Sequence, residues 1–228
     1  SVCHECPVAL FGDAARLEVL AARTGVPSRR LDVAQVSTLE PGTLGLVHVG
    51  SVEDGTVACH ASTPDGGRHQ LRALEVATRV VRQGAARAIV TGPTSKAAIV
   101  SAGHRFIGQT EYLAAAAGLA DDDVTMMFLG PKLRVALVTT HLAIANVPSA
   151  VTERRVARTV RHLADALERL FPQGPRRLTV AGLNPHAGEG GLFGREEIEV
   201  IAPVLQRLSA EQVFSSGRIT LRGPEPAE

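Results

Sequence analysis

The run from Gly182 to Glu197, reading Gly-Leu-Asn-Pro-His-Ala-Gly-Glu-Gly-Gly-Leu-Phe-Gly-Arg-Glu-Glu, constrains the fold more than any other stretch of this chain. The apolar residues Leu178, Val180 and Leu183 read as a buried strand, which Asn184 and Pro185 then turn and cut off from its hydrogen-bonded ladder. His186 is therefore expected at the C-terminal end of a strand. Gly188, Gly190, Gly191 and Gly194 around it allow backbone conformations closed to other residues and let a ligand come close to the main chain. In open α/β sheets ligands bind at that edge, where the connecting loops splay apart. A lone histidine is ordinarily a hydrogen-bonded structural residue, but this setting makes His186 a candidate binding group.

The rest of the chain alternates strand and helix signals. Val8 to Phe11 is a strand followed by a helix that Asp13 caps and Gly25 stops; Gly45 to Val49 is a second strand. Leu71, Leu74, Ala77 and Val81 mark an amphipathic helix closed by Gly84, and Ala88 to Thr91 reads as the next strand. Helix restarts at Ser95 and again at Thr110, which reads as an N-cap. Val124 to Leu129 and Leu133 to Val138 are joined by Gly130-Pro131-Lys132, a turn short enough for a hairpin or a sharp reversal. Thr152 opens the longest helix, with Val156, Val160, Leu163, Leu167 and Leu170 on one face. Ile198, Ile201, Leu205 and Leu208 define the helix after the histidine loop, and Ile219 to Leu221 is a last strand. This alternation predicts an α/β fold with a largely parallel sheet and helices on both faces.

With 228 residues, 45% of them hydrophobic and 21% charged, the chain is expected to fold and to bury a full core. A formal net charge of +1 provides no long-range field for nucleic acid or an anionic membrane. Aromatic residues make up 3% and tryptophan is absent, so the stacking platforms of single-strand binders are missing too. No apolar run has the length of a membrane span, and the first residues lack a signal core, so a cytoplasmic protein is expected. Three cysteines fit a reducing compartment. Cys3 and Cys6, with His4 between them and Cys59-His60 further on, form a C-x-x-C without a second pair, a weak zinc signal set against free thiols at a frayed terminus.

Four loops carry polar residues that folding alone does not call for. In Thr91-Gly92-Pro93-Thr94-Ser95-Lys96 the glycine spacing and Lys-Ser/Thr pair of a P-loop are missing, yet Lys96, one of two lysines in the chain, stands beside a helix start, where an anion would be stabilised. Phe106-Ile107-Gly108-Gln109-Thr110-Glu111 is the second loop, and Thr139-Thr140-His141 places another histidine directly after an apolar run. His141 and His186 are 45 residues apart, but parallel strands would bring their ends together, and two imidazoles suit a divalent metal that still needs a further ligand.

At these loops the sequence resembles the 4-hydroxythreonine-4-phosphate dehydrogenase (PdxA) family of vitamin B6 synthesis. The resemblance rests on Gly92 to Lys96, Gly108 to Glu111, Met126-Met127, Thr139 to His141 and the run from Gly182 to Gly191. It implies two α/β/α domains of isopropylmalate-dehydrogenase-like type, incomplete at both ends: a first over residues 1–103 and a second, carrying the metal histidines, over 104–228. It further implies a homodimer with a shared active site, NAD or NADP as cofactor, and a divalent metal (Zn, Mg or Co). Residue by residue, it makes His141 and His186 two of three metal ligands. Gln109 and Thr110 fall on the family's substrate-binding His-Thr pair, so Gln109 is a departure that neither titrates near neutral pH nor carries charge. The family's opening glycine-rich loop, its third metal histidine, the remaining Lys, Asn and Arg of its substrate site and most of its NAD contacts have no counterpart in these residues. No general base is named by what is present.

The implied activity is oxidation of 4-phosphooxy-threonine with decarboxylation, Lys96 and Thr110 anchoring the phosphate. A dehydrogenase of another phosphorylated hydroxy acid or of a dihydrodiol is the nearest alternative. A metal-dependent hydrolase using His141, His186 and a carboxylate such as Glu189, or a shortened, inactive homologue acting as a binding partner, are the others.

Overall fold

The computed structural model describes residues 2–52, 63–120, 123–174, 176–210 and 219–224. The chain divides into two compact units, Ser1–Asp121 and Asp122–Glu228. A short helix α1 (Val2–Glu5) precedes strand β1 (Val8–Gly12), which runs into α2 (Ala14–Ala22). As its sequence predicts, Asp13 caps α2, its carboxylate accepting the Ala15 N–H at 3.1 Å. Strands β2 (Ser28–Leu31) and β3 (Leu44–His48) complete a parallel three-stranded sheet in the order β1-β3-β2. The central strand is the apolar one: Leu46 and Val47 are inaccessible to solvent, because both neighbours and the covering helices exclude water from it.

Helix α3 (Pro64–Arg82) is capped by Thr63, and is buried along two stripes where one stripe was expected. Val80, in place of the anticipated Val81, enters the sheet core with Leu31, Val36 and Val47, while Leu71 and Leu74 face the other way. There they meet Ile99 of α4 (Lys96–Ser101) and Phe106, with Tyr112 and Leu113 of α5 (Gln109–Ala116) against them. Residues 104–120, counted with the second domain from the sequence, thus pack within the first unit through Phe106. Residues 88–91, expected as a strand, carry no ladder; Val90 is fully exposed, so nothing drives this segment into a sheet.

In the second unit β4 (Met127–Leu129) and β5 (Arg134–Ala136) form the antiparallel hairpin anticipated around Gly130-Pro131-Lys132. The turn is closed by the Gly130 N–H on the Leu133 carbonyl at 3.0 Å. A one-turn helix α6 (Val147–Ala150) leads to α7 (Glu153–Leu170), capped by Thr152. Strand β6 (Arg176–Thr179) pairs in parallel with β7 (Ile219–Arg222), and α8 (Ala202–Ala210) lies between them in sequence. Val156, Val160, Ala164 and Leu167 of α7 share one core with Leu178, Ile201, Val204, Leu205 and Leu208; Leu170 lies outside it. The expectation that parallel strands bring the ends before the two histidines together is corrected here: β5, before His141, pairs with antiparallel β4, and β6, before His186, pairs with β7.

Candidate functional site

In the first unit, the Gly92 loop and the start of α5 are tied together by side chains. Gln109 donates through Nε2 to the Gly92 carbonyl at 3.0 Å, and the Ser95 N–H donates to Gln70 Oε1 at 2.7 Å. Ser95 in turn caps α4 by accepting the Ala98 N–H, which leaves Lys96 as the first residue of that helix, exposed to solvent. Thr110 is not the cap that its sequence suggests. Gly108 occupies that position, and the Thr110 hydroxyl sits one residue into the helix, exposed, where the cap explanation for it no longer applies.

In the second unit, His141 and His186 leave the same apolar core: Val138, ahead of the first, and Val180 and Leu183, ahead of the second, all pack against it. Both histidines have left-handed backbones, with φ of 55° and 49°. Among the described residues only Ala187 and Glu189 share that conformation without being glycine. Each such residue costs roughly 1–2 kcal/mol relative to a right-handed one, and such costs persist where the surroundings impose them, a pattern concentrated at functional sites. Glu189 accepts a hydrogen bond from His186 Nδ1 at 2.5 Å, so Nε2 carries the free lone pair of the neutral ring.

Below the loop lies a group that the sequence reading missed. Glu197 is 4% exposed, and its Oε1 accepts the N–H groups of Leu183 and Asn184, each at 2.7 Å. The Asn184 side-chain amide donates to Glu197 Oε2 at 2.9 Å and to Glu196 Oε2 at 2.7 Å. Burial pushes the Glu197 carboxyl up, and the hydrogen bonds from Asn184, Leu183 and its own backbone outweigh that, holding it below the usual glutamate range. The one available signal was a pair of carboxylates opening a helix directly after a glycine loop, whose amides need acceptors.

Imidazoles such as those of His141 and His186 are donors that suit zinc or cobalt, and the Glu189 carboxylate on His186 Nδ1 leaves Nε2 of that ring for a ligand. Among the described residues no three His, Cys, Asp or Glu side chains gather as a complete site would need. By donor chemistry the two histidines fit part of a coordination shell. Of the weak cysteine signal, Cys6 is exposed, and Cys59-His60 lie outside the described residues.

Solved structures define the class first. Over 97% of its length the chain superposes on 65% of the 4-hydroxythreonine-4-phosphate dehydrogenase from Klebsiella pneumoniae, with a TM-score of 0.78 and 30% identity. A terephthalate 1,2-cis-dihydrodiol dehydrogenase from Burkholderia xenovorans is similar at a TM-score of 0.64 and 28% identity, over 96% of this chain and 65% of that one. The fold is α/β, of the isopropylmalate-dehydrogenase-like type. The profile of the family described as pyridoxal phosphate biosynthetic protein PdxA matches residues 4–228, and the chain belongs to that family. It is 38% identical over 222 residues to the 4-hydroxythreonine-4-phosphate dehydrogenase of Erythrobacter litoralis and 40% identical over 220 residues to that of Xylella fastidiosa. It spans 64% of the length of each of these relatives. No helix among the described residues is long and apolar enough to cross a membrane.

Proposed function

We propose that this chain serves an NAD-dependent, metal-assisted oxidation of 4-phosphooxy-threonine with decarboxylation, in the cytoplasmic synthesis of pyridoxal 5'-phosphate. The observation that carries the reading is the left-handed backbone at both His141 and His186, inside a chain matched to the PdxA family along almost its whole length. His141 and His186 would hold the metal through imidazole nitrogens, the second through Nε2, with Glu189 keeping the proton on Nδ1. When bound, a divalent cation would supply charge stabilisation at the alcohol oxygen, and a nicotinamide would supply the hydride acceptor. Lys96 and Thr110, both exposed, are assigned to the phosphate end of the substrate. Gln109, anchored on the Gly92 carbonyl, offers that end a neutral amide where a histidine could carry charge.

Titration of zinc into the protein and into a His141→Ala, His186→Ala double variant tests the metal assignment. Tight binding by the wild type and its loss in the variant are expected, together with reduced-nicotinamide absorbance when substrate, metal and NAD are supplied. Absence of binding by either protein would sink the assignment. A second reading, a dihydrodiol substrate, is favoured by the neutral Gln109 together with the likeness to the terephthalate dihydrodiol dehydrogenase. Turnover of a cis-dihydrodiol but not of the phosphorylated amino acid would establish it.

We also assign the protein to a homodimer. Phe128 of the β4–β5 hairpin and Val135 directly across from it are 56% and 38% exposed, and Leu133 at the turn is 70% exposed, apolar side chains of the kind that mark an interaction surface. A Phe128→Asp, Leu133→Asp variant is expected to sediment at half the mass of the wild type; equal masses would contradict the assignment.

A further inference from the structure

Among the described residues Glu197 is the one ionisable residue that is buried, and its oxygens are held by amide N–H groups of Leu183 and Asn184 where an arginine or lysine would ordinarily stand. A carboxylate withdrawn from water without a cation has to be satisfied by hydrogen bonds, and beyond its own backbone this one is held by Leu183 and Asn184, in the segment that leads into the histidine loop. The backbone wraps it closely. A Cβ placed on Gly182 would lie 3.3 Å from Oε1, and one on Gly188 would lie 3.2 Å from Oε2. The carboxylate is therefore enclosed by the start of the loop and by its middle.

The element that carries it is shaped to do so. Residues Glu197–Ile201 form a single π-helical turn ahead of α8, closed by the Ala202 N–H on the Glu197 carbonyl. This wider turn breaks the regular spacing of apolar positions: Ile201 is buried, while Ile198, expected on the core face, is 43% exposed. Glu197 takes the inward position. Leu183 is anchored from the other side by packing into the core, so the Leu183–Asn184 peptide is fixed by apolar contact and by charge-assisted hydrogen bonds together. From that fixed point the chain passes through Pro185 into the left-handed run from His186 to Gly190, conformations that the local sequence would not hold alone.

We propose that Glu197 is a positioning residue for His186: its buried carboxylate clamps the Leu183–Asn184 backbone and so sets the direction in which the imidazole is presented. This role rests on the assignment of His186 as a metal ligand, and the test is arranged so that the two can fail separately.

The full chain is compared with Glu197→Gln, Glu197→Ala and His186→Ala, each first checked for a folded far-ultraviolet spectrum and a dispersed amide spectrum. Zinc titrated into each should bind Glu197→Ala about 10–100-fold more weakly than wild type, the range for loss of a supporting partner behind a ligand. Glu197→Gln should fall between, because its amide oxygen still accepts both backbone N–H groups but its NH2 opposes that of Asn184. Wild-type zinc affinity in a folded Glu197→Ala overturns the proposal, as does wild-type affinity in Glu197→Gln should the alanine variant not fold. The second readout needs no metal: amide exchange at Leu183 and Asn184, and the HN–Hα couplings of His186, Ala187 and Glu189. If the wild type binds no zinc, the ligand assignment falls and these couplings decide the role of Glu197 alone. Their averaging in the variant supports the clamp, and their persistence overturns it.

Discussion

Replacing Gly67 with alanine is expected to destabilise the first unit by about 1–3 kcal/mol, although alanine is the better helix former by about 1 kcal/mol. Gly67 is buried in α3 where that helix crosses α4, and a Cβ there would stand 2.1 Å from the Ala98 carbonyl oxygen and 2.7 Å from the Ile99 nitrogen. Those are backbone atoms, which cannot rotate aside as a side chain would. The two helices must separate, and Ile99, which is inaccessible to solvent between them, loses its packing. Since Ala98 lies two residues after Lys96, the shift also moves the residue assigned to the phosphate. Gly66 is the internal comparison: its added Cβ would meet the Thr63 hydroxyl oxygen at 3.1 Å, and Gly66→Ala is expected to change stability by less than about 1 kcal/mol. Calorimetric melting of the two variants beside wild type checks this, and a Gly67→Ala protein that melts with the wild type would refute the close crossing.

The second large effect is expected at Gly194. Its φ of 153° lies in a region that is essentially reserved for glycine, at a cost of order 1–3 kcal/mol to any other residue. A Cβ there would also come within 2.4 Å of Asn184 Nδ2 and 2.5 Å of Glu196 Oε2, the two ends of a 2.7 Å hydrogen bond. Gly194→Ala should therefore displace the Asn184 amide, breaking its link to Glu196 and weakening its bond to Glu197. The expected result is a zinc affinity lowered at least tenfold, with a melting temperature reduced by several degrees. Titration and melting on the same sample distinguish a loosened loop from a lost fold, and unchanged affinity would show that the link has no part in holding His186.

The elements themselves were legible in the sequence wherever their signals are local. Asp13, Ser95 and Thr152 each stand at the start of a helix, and each accepts a backbone N–H two or three residues ahead. Gly130-Pro131-Lys132 closes the hairpin, and the apolar spacing of α7 marks the face that it buries. Thr110 shows the limit of such reading: a good cap residue lost the position to Gly108 when the helix began two residues earlier.

The candidate site was legible only in part, for the same reason. His141 and His186 stood out because each follows an apolar run and, in the second case, because glycines surround it. That both adopt left-handed backbones, and that they leave one common core, depends on packing against residues far away in sequence. Glu197 was invisible as anything but a surface carboxylate at a helix start. Its function as an acceptor appears only once the π turn faces it toward amides 13 and 14 residues earlier.

The sequence by itself determined the α/β class, many of the strands and helices, most of the helix starts and the two histidine loops, since capping, turn formation and apolar periodicity each act over a few residues. The tertiary structure decided which stripes of α3 are buried, that residues 104–120 pack through Phe106 in the first unit, and that a buried carboxylate supports the His186 loop. Those outcomes depend on burial and on hydrogen bonds between distant residues, whose free energies exist only after the chain has brought them together.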